Sequence, residues 1–504
     1  MDVEQLKEDV RQGRVDVDRL VELIVMLGRQ LGRANEELKQ ARARIEELER
    51  KQGRPPTQKL EQAFSLRAEE KRQEVRGKKR RKKNRPLRRG RITTADKLAR
   101  AERIEKIFPA GVAPDDCRLS HTRPVWRLEN GQAVLVAYEV YRGPGNRYGQ
   151  IPGVLGRSEF GIEIVLAIGY QVFIVGLSFD KVCLLLNFFQ NLRLRKSQVD
   201  AVLRQLSRCW EGEFDRLCTL LAHSAVVHAD ETGWSIHSAW AFLSEKVRLL
   251  FFGVHKDAAT LEQILDPATF TGIVISDDAA VYAGFAHAQK CWAHLLRKAI
   301  KLTLLEPENP TYRQFTDRLL EIYRSACRTQ RDRRLNDAGR TRKVGQLDDA
   351  LLELCGPVWT AELSPSEGTA NDYRLLCNEL MRLMLEQQLF TFVTAAAVET
   401  PGGETVLVGG TNNEAERTLR AVAEARKTGR TSKTLSGARR RTVIVSVLES
   451  LRGQLKAFTL RHVIEEVRGW LETGQSRFAA LLERLRLSVP EKSPLDILLP
   501  KPDG

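Results

Sequence analysis

Two stretches decide the fold: Ala225-Val226-Val227-His228-Ala229-Asp230 and, 47 positions further on, Gly272-Ile273-Val274-Ile275-Ser276-Asp277. Each reads as a short apolar strand that delivers an aspartate at its carboxyl end. Glu231-Thr232-Gly233-Trp234 supplies a turn after the first. The runs Trp240 to Leu243 and Arg248 to Phe252, parted by Ser244-Glu245-Lys246, then complete a three-strand antiparallel meander. A helix from Ala258 to Leu265 leads into the second aspartate-bearing strand.

Strand, strand, strand, helix, strand is the opening order of a ribonuclease H-like α/β fold, whose adjacent strands bring Asp230 and Asp277 together. Two carboxylates forced together repel unless a cation sits between them. Hard oxygen ligands select Mg²⁺ or Mn²⁺, and two such ions about 4 Å apart serve phosphoryl transfer. Thr411-Asn412-Asn413-Glu414-Ala415-Glu416-Arg417 offers a third carboxylate, Glu416, at the start of a helix that runs basic through Arg420, Arg426, Lys427 and Arg430. An aspartate after a buried strand is often a turn former or helix cap. Spacing alone also leaves Glu231, Asp278 and Glu414 open as alternative ligands.

Charge points to the partner. Lys and Arg total 81 against 65 Asp and Glu, a formal +16, and an excess of that size favours a polyanion such as nucleic acid. Residues 78–91 hold ten basic and no acidic side chains, and residues 417–441 hold nine basic and one acidic. These two blocks exceed the whole net charge, so the rest is close to neutral. With 504 residues, 42% of them apolar, the chain can build a sizeable core and more than one domain. Eight scattered cysteines and a charged N-terminal segment without a secretory pattern lead us to expect a reducing, cytoplasmic setting. The apolar stretch from Ile162 to Leu177 contains Glu163 and Gln171 and is shorter than the roughly 20 residues a bilayer requires. It reads as core, with no membrane partner.

Val17, Leu20, Ile24, Leu27, Leu31, Ala34, Leu38, Ala41, Ile45 and Leu48 keep the three-and-four spacing of a heptad seam. We therefore expect an N-terminal coiled coil over 1–53 that makes a homo-oligomer. A basic linker over 54–99 follows, with Lys78, Lys79, Arg80 and Arg81 as candidate DNA contacts. Residues 100–222 form a DNA-binding region. Within it, two short helices, Ser178 to Gln190 and one opening at Ser197, permit a helix-turn-helix. Cys117 and His121 have a metal-compatible spacing but no second close pair, so zinc is not expected.

The pieces Asp230-Glu231-Thr232-Gly233-Trp234, Ser276-Asp277 with Tyr282, Cys291-Trp292-Ala293-His294, and Asn412-Asn413 with Ala415-Glu416-Arg417 and Arg420 occur in this order. In them the chain resembles the IS66 family of insertion-sequence transposases, from the coiled coil to about residue 450. The resemblance implies that Asp230, Asp277 and Glu416 are the family's acidic triad. It also implies a helical insertion, matching the 138 positions between Asp277 and Glu416. Departures are the missing cysteine-rich zinc motif, Thr411 before the asparagine pair, and Thr428 after Arg426-Lys427. Cys291-Trp292-Ala293-His294 receives no catalytic role.

The expectation is thus a DNA transposase with its core at 223–450, a helical insertion at about 299–400 and a helical tail at 451–504. Water would cut a phosphodiester at the element's end, and the freed 3′-hydroxyl would attack target DNA. Arg417, Arg420 and Lys427 are the expected phosphate contacts. Partners are the element's terminal inverted repeats, target DNA and, by resemblance, small accessory proteins. The alternatives are a non-catalytic DNA-binding or architectural protein and a related metal-dependent nuclease that cuts without joining.

Overall fold

The computed structural model describes residues 93–359 and 368–501. The coiled coil expected over 1–53, and Lys78, Lys79, Arg80 and Arg81, lie outside the described residues. The last part of the expected linker is ordered as a one-turn helix, α1 (Thr94–Leu98), closed by a capping box between Thr93 and Asp96.

A three-stranded sheet follows, and no strand was expected here. Its strands are β1 (Arg103–Ile107), β2 (Arg118–Glu129) and β3 (Gln132–Arg142), in the order β1-β3-β2. β2 and β3 form a hairpin around Asn130-Gly131, both at positive φ, the backbone that a tight turn matching strand twist requires. The sheet abuts α2 (Ile162–Phe173), whose Glu163 explains the acid in an apolar run. That carboxylate is buried and pairs with Arg127 of β2 at 2.9 Å. Helix α3 (Phe179–Gln190) begins at its Ser178 cap as read from sequence. Its successor α4 (Lys196–Ala222) runs 27 residues, so the pair is not the two short helices expected: an apolar face from Val199 to Leu221 keeps α4 in the core.

The central sheet has five strands: β4 (Val226–Gly233), β5 (Ser238–Leu243), β6 (Arg248–Val254), β7 (Ile273–Ser276) and β8 (Ala288–Lys290). Helix α5 (Ala258–Ile264) connects β6 to β7. The order is β6-β5-β4-β7-β8, antiparallel across β6, β5 and β4 and parallel across β4, β7 and β8. The chain is therefore mixed α/β, and the meander stands as read. One element was misread: β4 continues through Glu231, Thr232 and Gly233, which pair with Trp240, Ala239 and Ser238 of β5. A ready antiparallel partner overrides the turn preference of those residues.

The sheet is covered on both sides. Val227, Ala229 and Val274 belong to a core shared with α2, α4 and α12 (Leu435–Gln454), whereas Val226, Ile273 and Ile275 face the helical insertion. This two-sided burial is why β4 and β7 read as continuous apolar runs. The insertion comprises α6 (Trp292–Leu305), α7 (Pro310–Arg331), α8 (Asp337–Trp359), α9 (Thr369–Leu385), α10 (Thr391–Thr394) and a small hairpin, β9 (Ala397–Glu399) with β10 (Thr405–Leu407). The chain returns through α11 (Asn413–Lys427) and α12. It ends in α13 (Leu460–Thr473), α14 (Arg477–Leu485) and α15 (Pro494–Leu498), and Phe478, Leu482, Leu495 and Leu499 fold back into the main core. No helix among the described residues is long and apolar enough to cross a membrane.

α12 also satisfies the edge strand β6. Thr442, Ser446 and Ser450 accept the Phe252, Leu250 and Arg248 N–H groups at 3.0, 2.9 and 2.9 Å. Ser446 and Ser450 donate in turn to the Leu250 and Arg248 carbonyls. Four helical residues rise about 6 Å and two strand residues about 6.7 Å, so hydroxyls four apart meet alternate strand residues. Ser446→Ala strands two buried backbone groups and is expected to cost about 1–3 kcal/mol in denaturant unfolding. Unaltered stability would show that the ladder contributes nothing.

Candidate active site

β4 and β7 run parallel in the register Val226↔Ile273, Val227↔Val274 and His228↔Ile275. Two residues further on, Asp230 and Asp277 are level. Side chains alternate along a strand, so Asp230 continues the face of Val226 and His228, and Asp277 that of Ile273 and Ile275. Both aspartates therefore lie on the insertion side. At Asp230 the pairing with β7 has ended while pairing with β5 continues through Ala241, and the gap so opened admits a third element.

That element is the start of α11, held by Asn412. This side chain is fully buried. Its Nδ2 donates to the Ala229 carbonyl at 2.7 Å, and its Oδ1 lies 3.2 Å from His228 Nδ1. Its backbone N–H donates to Cys291 Sγ at 3.1 Å. Cys291 in turn donates its N–H to the Ser276 carbonyl, and Trp292 donates its own to the Gly410 carbonyl. The segments carrying Asp230, Asp277 and Glu416 are thus tied together through Asn412 and Cys291. Asn412-Asn413 and Cys291-Trp292 stood out in the sequence as motifs, but their bracing role did not.

Burial, followed by the charges of Glu231, Asp277 and Glu416, pushes the Asp230 carboxyl up to about 7 against the stabilising Glu231 N–H. Asp230 and Asp277 otherwise accept backbone N–H groups, from Glu231 and Ala279, and neither pairs with a cation among the described residues. The alternative carboxylates are all compensated. Glu231 is held by Lys256 at 2.5 Å and by the Tyr282 hydroxyl, Asp278 by Arg382, and Glu414 by Arg248 at 2.6 Å.

Glu416 lies in the first turn of α11. Arg297 Nη2 donates to its two oxygens at 2.9 and 2.7 Å, and His294 Nδ1 is 3.4 Å away. Among the described residues, the three-membered group whose potential ligand atoms lie within 4.8 Å of one another is Cys291, His294 and Glu416. The Glu416 carboxylate is thus turned toward α6 rather than closed onto the two aspartates. Arg297, Lys256 and Lys290, whose buried ammonium donates to the Asp277 carbonyl at 3.2 Å, had no sequence signal beyond their charge. Arg417, Arg420 and Lys427 are exposed on α11. Among the described residues, the side chains of Cys117 and His121 hydrogen-bond locally, to the Ala113 carbonyl and Ser120.

The donors are hard carboxylate oxygens, and two of them lack a counter-cation, which fits Mg²⁺ or Mn²⁺. Residues 157–440 match the family described as Transposase IS66 family, a span that includes every residue of this site. No curated protein matches the chain.

Burial of Asp230, reinforced by its like-charged neighbours, has a measurable sign. Its folded-state value is raised, so ionisation opposes folding above about pH 7, and this penalty vanishes as pH falls toward the ordinary carboxylate value. Asp230→Asn should raise the unfolding midpoint of metal-free protein near pH 8 but not near pH 4, and Mg²⁺ should stabilise the wild type more than the variant. A variant no more stable than wild type near pH 8 would contradict this electrostatic picture.

Proposed function

Because the chain belongs to the transposase IS66 family, we propose that it is a DDE-type DNA transposase that cuts the ends of an insertion sequence and joins the 3′-hydroxyl to target DNA. The observation that carries this reading is the register that places Asp230 on β4 level with Asp277 at the end of the parallel β7, with the start of α11, which carries Glu416, tied to β4 through Asn412. The strand order β6-β5-β4-β7-β8, with its antiparallel and parallel halves, supports a ribonuclease H-like core. On this reading 223–450 is the catalytic domain with its helical insertion, 100–222 is a DNA-binding region and 1–53 is an oligomerising coiled coil.

Asp230, Asp277 and Glu416 are the ligands in this proposal, Glu416 turning from Arg297 toward the aspartates. The chemistry expected of Mg²⁺ or Mn²⁺ held there is activation of the attacking oxygen and stabilisation of the leaving one. Asn412 and the Cys291 brace fix the start of α11, which carries Glu416. Arg417, Arg420 and Lys427, spaced three and seven residues apart on α11, offer positive charge on one helical face. Such contacts position DNA without reading its sequence. Lys78, Lys79, Arg80 and Arg81 would add to the sequence-independent grip.

Asp230→Asn and Asp277→Asn should each abolish Mg²⁺- or Mn²⁺-dependent cleavage and strand transfer on terminal-repeat DNA, by at least about a thousandfold, while DNA binding persists. Glu416→Gln should do the same, whereas Glu414→Gln retains activity. Full strand transfer by either aspartate variant sinks the assignment. Cleavage without joined products would make the protein a nuclease.

A further inference from the structure

Three consecutive arginines, Arg439 to Arg441, stand in the second turn of α12, and the structure treats them differently. Arg439 pairs with Glu211 and Asp496 at 3.0 and 2.7 Å, and Arg440 with Asp200 at 2.6 Å. Arg441 is only 8% exposed, yet it pairs with no carboxylate among the described residues. Its guanidinium sits 5.2, 5.3 and 5.5 Å from the ring centres of Phe173, Trp234 and Phe252. One nitrogen donates to the Arg430 carbonyl at 3.0 Å, while Nε is buried without a hydrogen-bond partner. Burial, with the neighbouring Arg440, holds its pKa down near 10. A buried cation without an anion is costly, and aromatic faces recover only part of that cost.

Arg441 lines a groove of about 660 Å³ between α11, β6 and α12. Four more arginines line it, and two of these are already neutralised, Arg248 by Glu414 and Arg452 by Glu449 at 3.3 Å. That leaves Arg417, Arg430 and Arg441 against Glu424. Arg417 belongs to the same helix as Glu416, one residue further on. The missing charge is anionic, and the flat, forked donors of arginine match phosphate oxygens.

We propose that this groove is a phosphate-binding subsite in which the buried Arg441 and the exposed Arg417 and Arg430 grip the backbone of a DNA strand running beside α11. The proposal rests on the DNA-transaction reading above and adds to it a site on the opposite side of α11's first turns from Arg297. Arg441 is held rigid by three rings, so its guanidinium is ordered before any ligand arrives.

The test uses the full chain in metal-free buffer, where binding is read without cleavage. The probe is a random-sequence DNA duplex of about thirty base pairs, titrated by fluorescence anisotropy over a range of salt. Arg441→Met fills the aromatic box without charge. It should weaken binding about tenfold and reduce the slope of log affinity against log salt by about one, with the unfolding midpoint unchanged or raised. Arg441→Lys should keep the wild-type slope. An unchanged slope in folded Arg441→Met overturns the proposal, and so does a loss of folding, which would make Arg441 structural. If sulfate or phosphate stabilises wild type but not Arg441→Met while the DNA slope stays constant, the groove takes a free anion instead. Failure of the wild type to bind any duplex would remove the transposase reading as well, which separates the two failures.

Discussion

The arrangement depends on one buried amide. Asn412 joins the carbonyl of Ala229, the imidazole of His228 and the sulfur of Cys291 in a single clasp. Parallel pairing of β4 and β7 brings the two aspartates level by register alone, but Glu416 arrives 139 positions after Asp277. Closing a flexible loop of that length costs about 4 kcal/mol plus a constant. The intervening chain is not flexible. It folds into a core of its own that covers one face of the sheet, with Val226, Ile273 and Ile275 embedded in it. The insertion therefore pre-pays the closure, and Asn412 has only to fix the last few ångströms. Each of its polar atoms is satisfied by an element bearing part of the site, so no cheaper residue serves: an apolar side chain would leave the Ala229 carbonyl without its donor.

Compensation of charge separates the site from its surroundings better than the presence of charge. Acidic residues crowd the end of β4 and β7, and every neighbour of the three proposed ligands has its own cation or hydroxyl. Asp230 and Asp277 do not. Glu416 is intermediate, paired with an Arg297 that is itself half-exposed. The same accounting reorders the basic block at 417–441. Arg439 and Arg440 are consumed inside the fold, and Arg426 and Arg430 donate to the Gly233 and Gly176 carbonyls. A tally of positive residues could not have made that division, because burial partners come from Glu211, Asp200 and Asp496, far away in sequence.

Much of the central sheet was legible because β4, β5, β6 and β7 are buried on both faces and write their apolar runs without interruption. The end of β4 was not: Glu231, Thr232 and Gly233 look like a turn and are held extended by a partner strand that local preference does not register. The first sheet was missed although Asn130-Gly131 between two apolar alternations announces its hairpin. The aspartates were legible from their position after apolar runs, whereas the choice of Glu416 over Glu414 needed the family's pattern. In the structure the two differ by which face of α11 they occupy, one meeting Arg248 and the other Arg297 and His294. Two residues on a helix are 200° apart, a difference that spacing states but cannot orient without knowing where the sheet lies.

α11 thereby separates two electrostatic deficits of opposite sign. On the side of its first turn facing the strands, carboxylates gather without enough cations. On the side facing α12, arginines gather without enough acids. Neither deficit stabilises the fold, and both are carried by cores large enough to tolerate them. A polynucleotide with its counter-cations has the complementary pair of charges, phosphates for the arginines and divalent ions for the carboxylates. The helix between them is the element whose two faces such a ligand would touch together, and its position is set by the one asparagine that begins it.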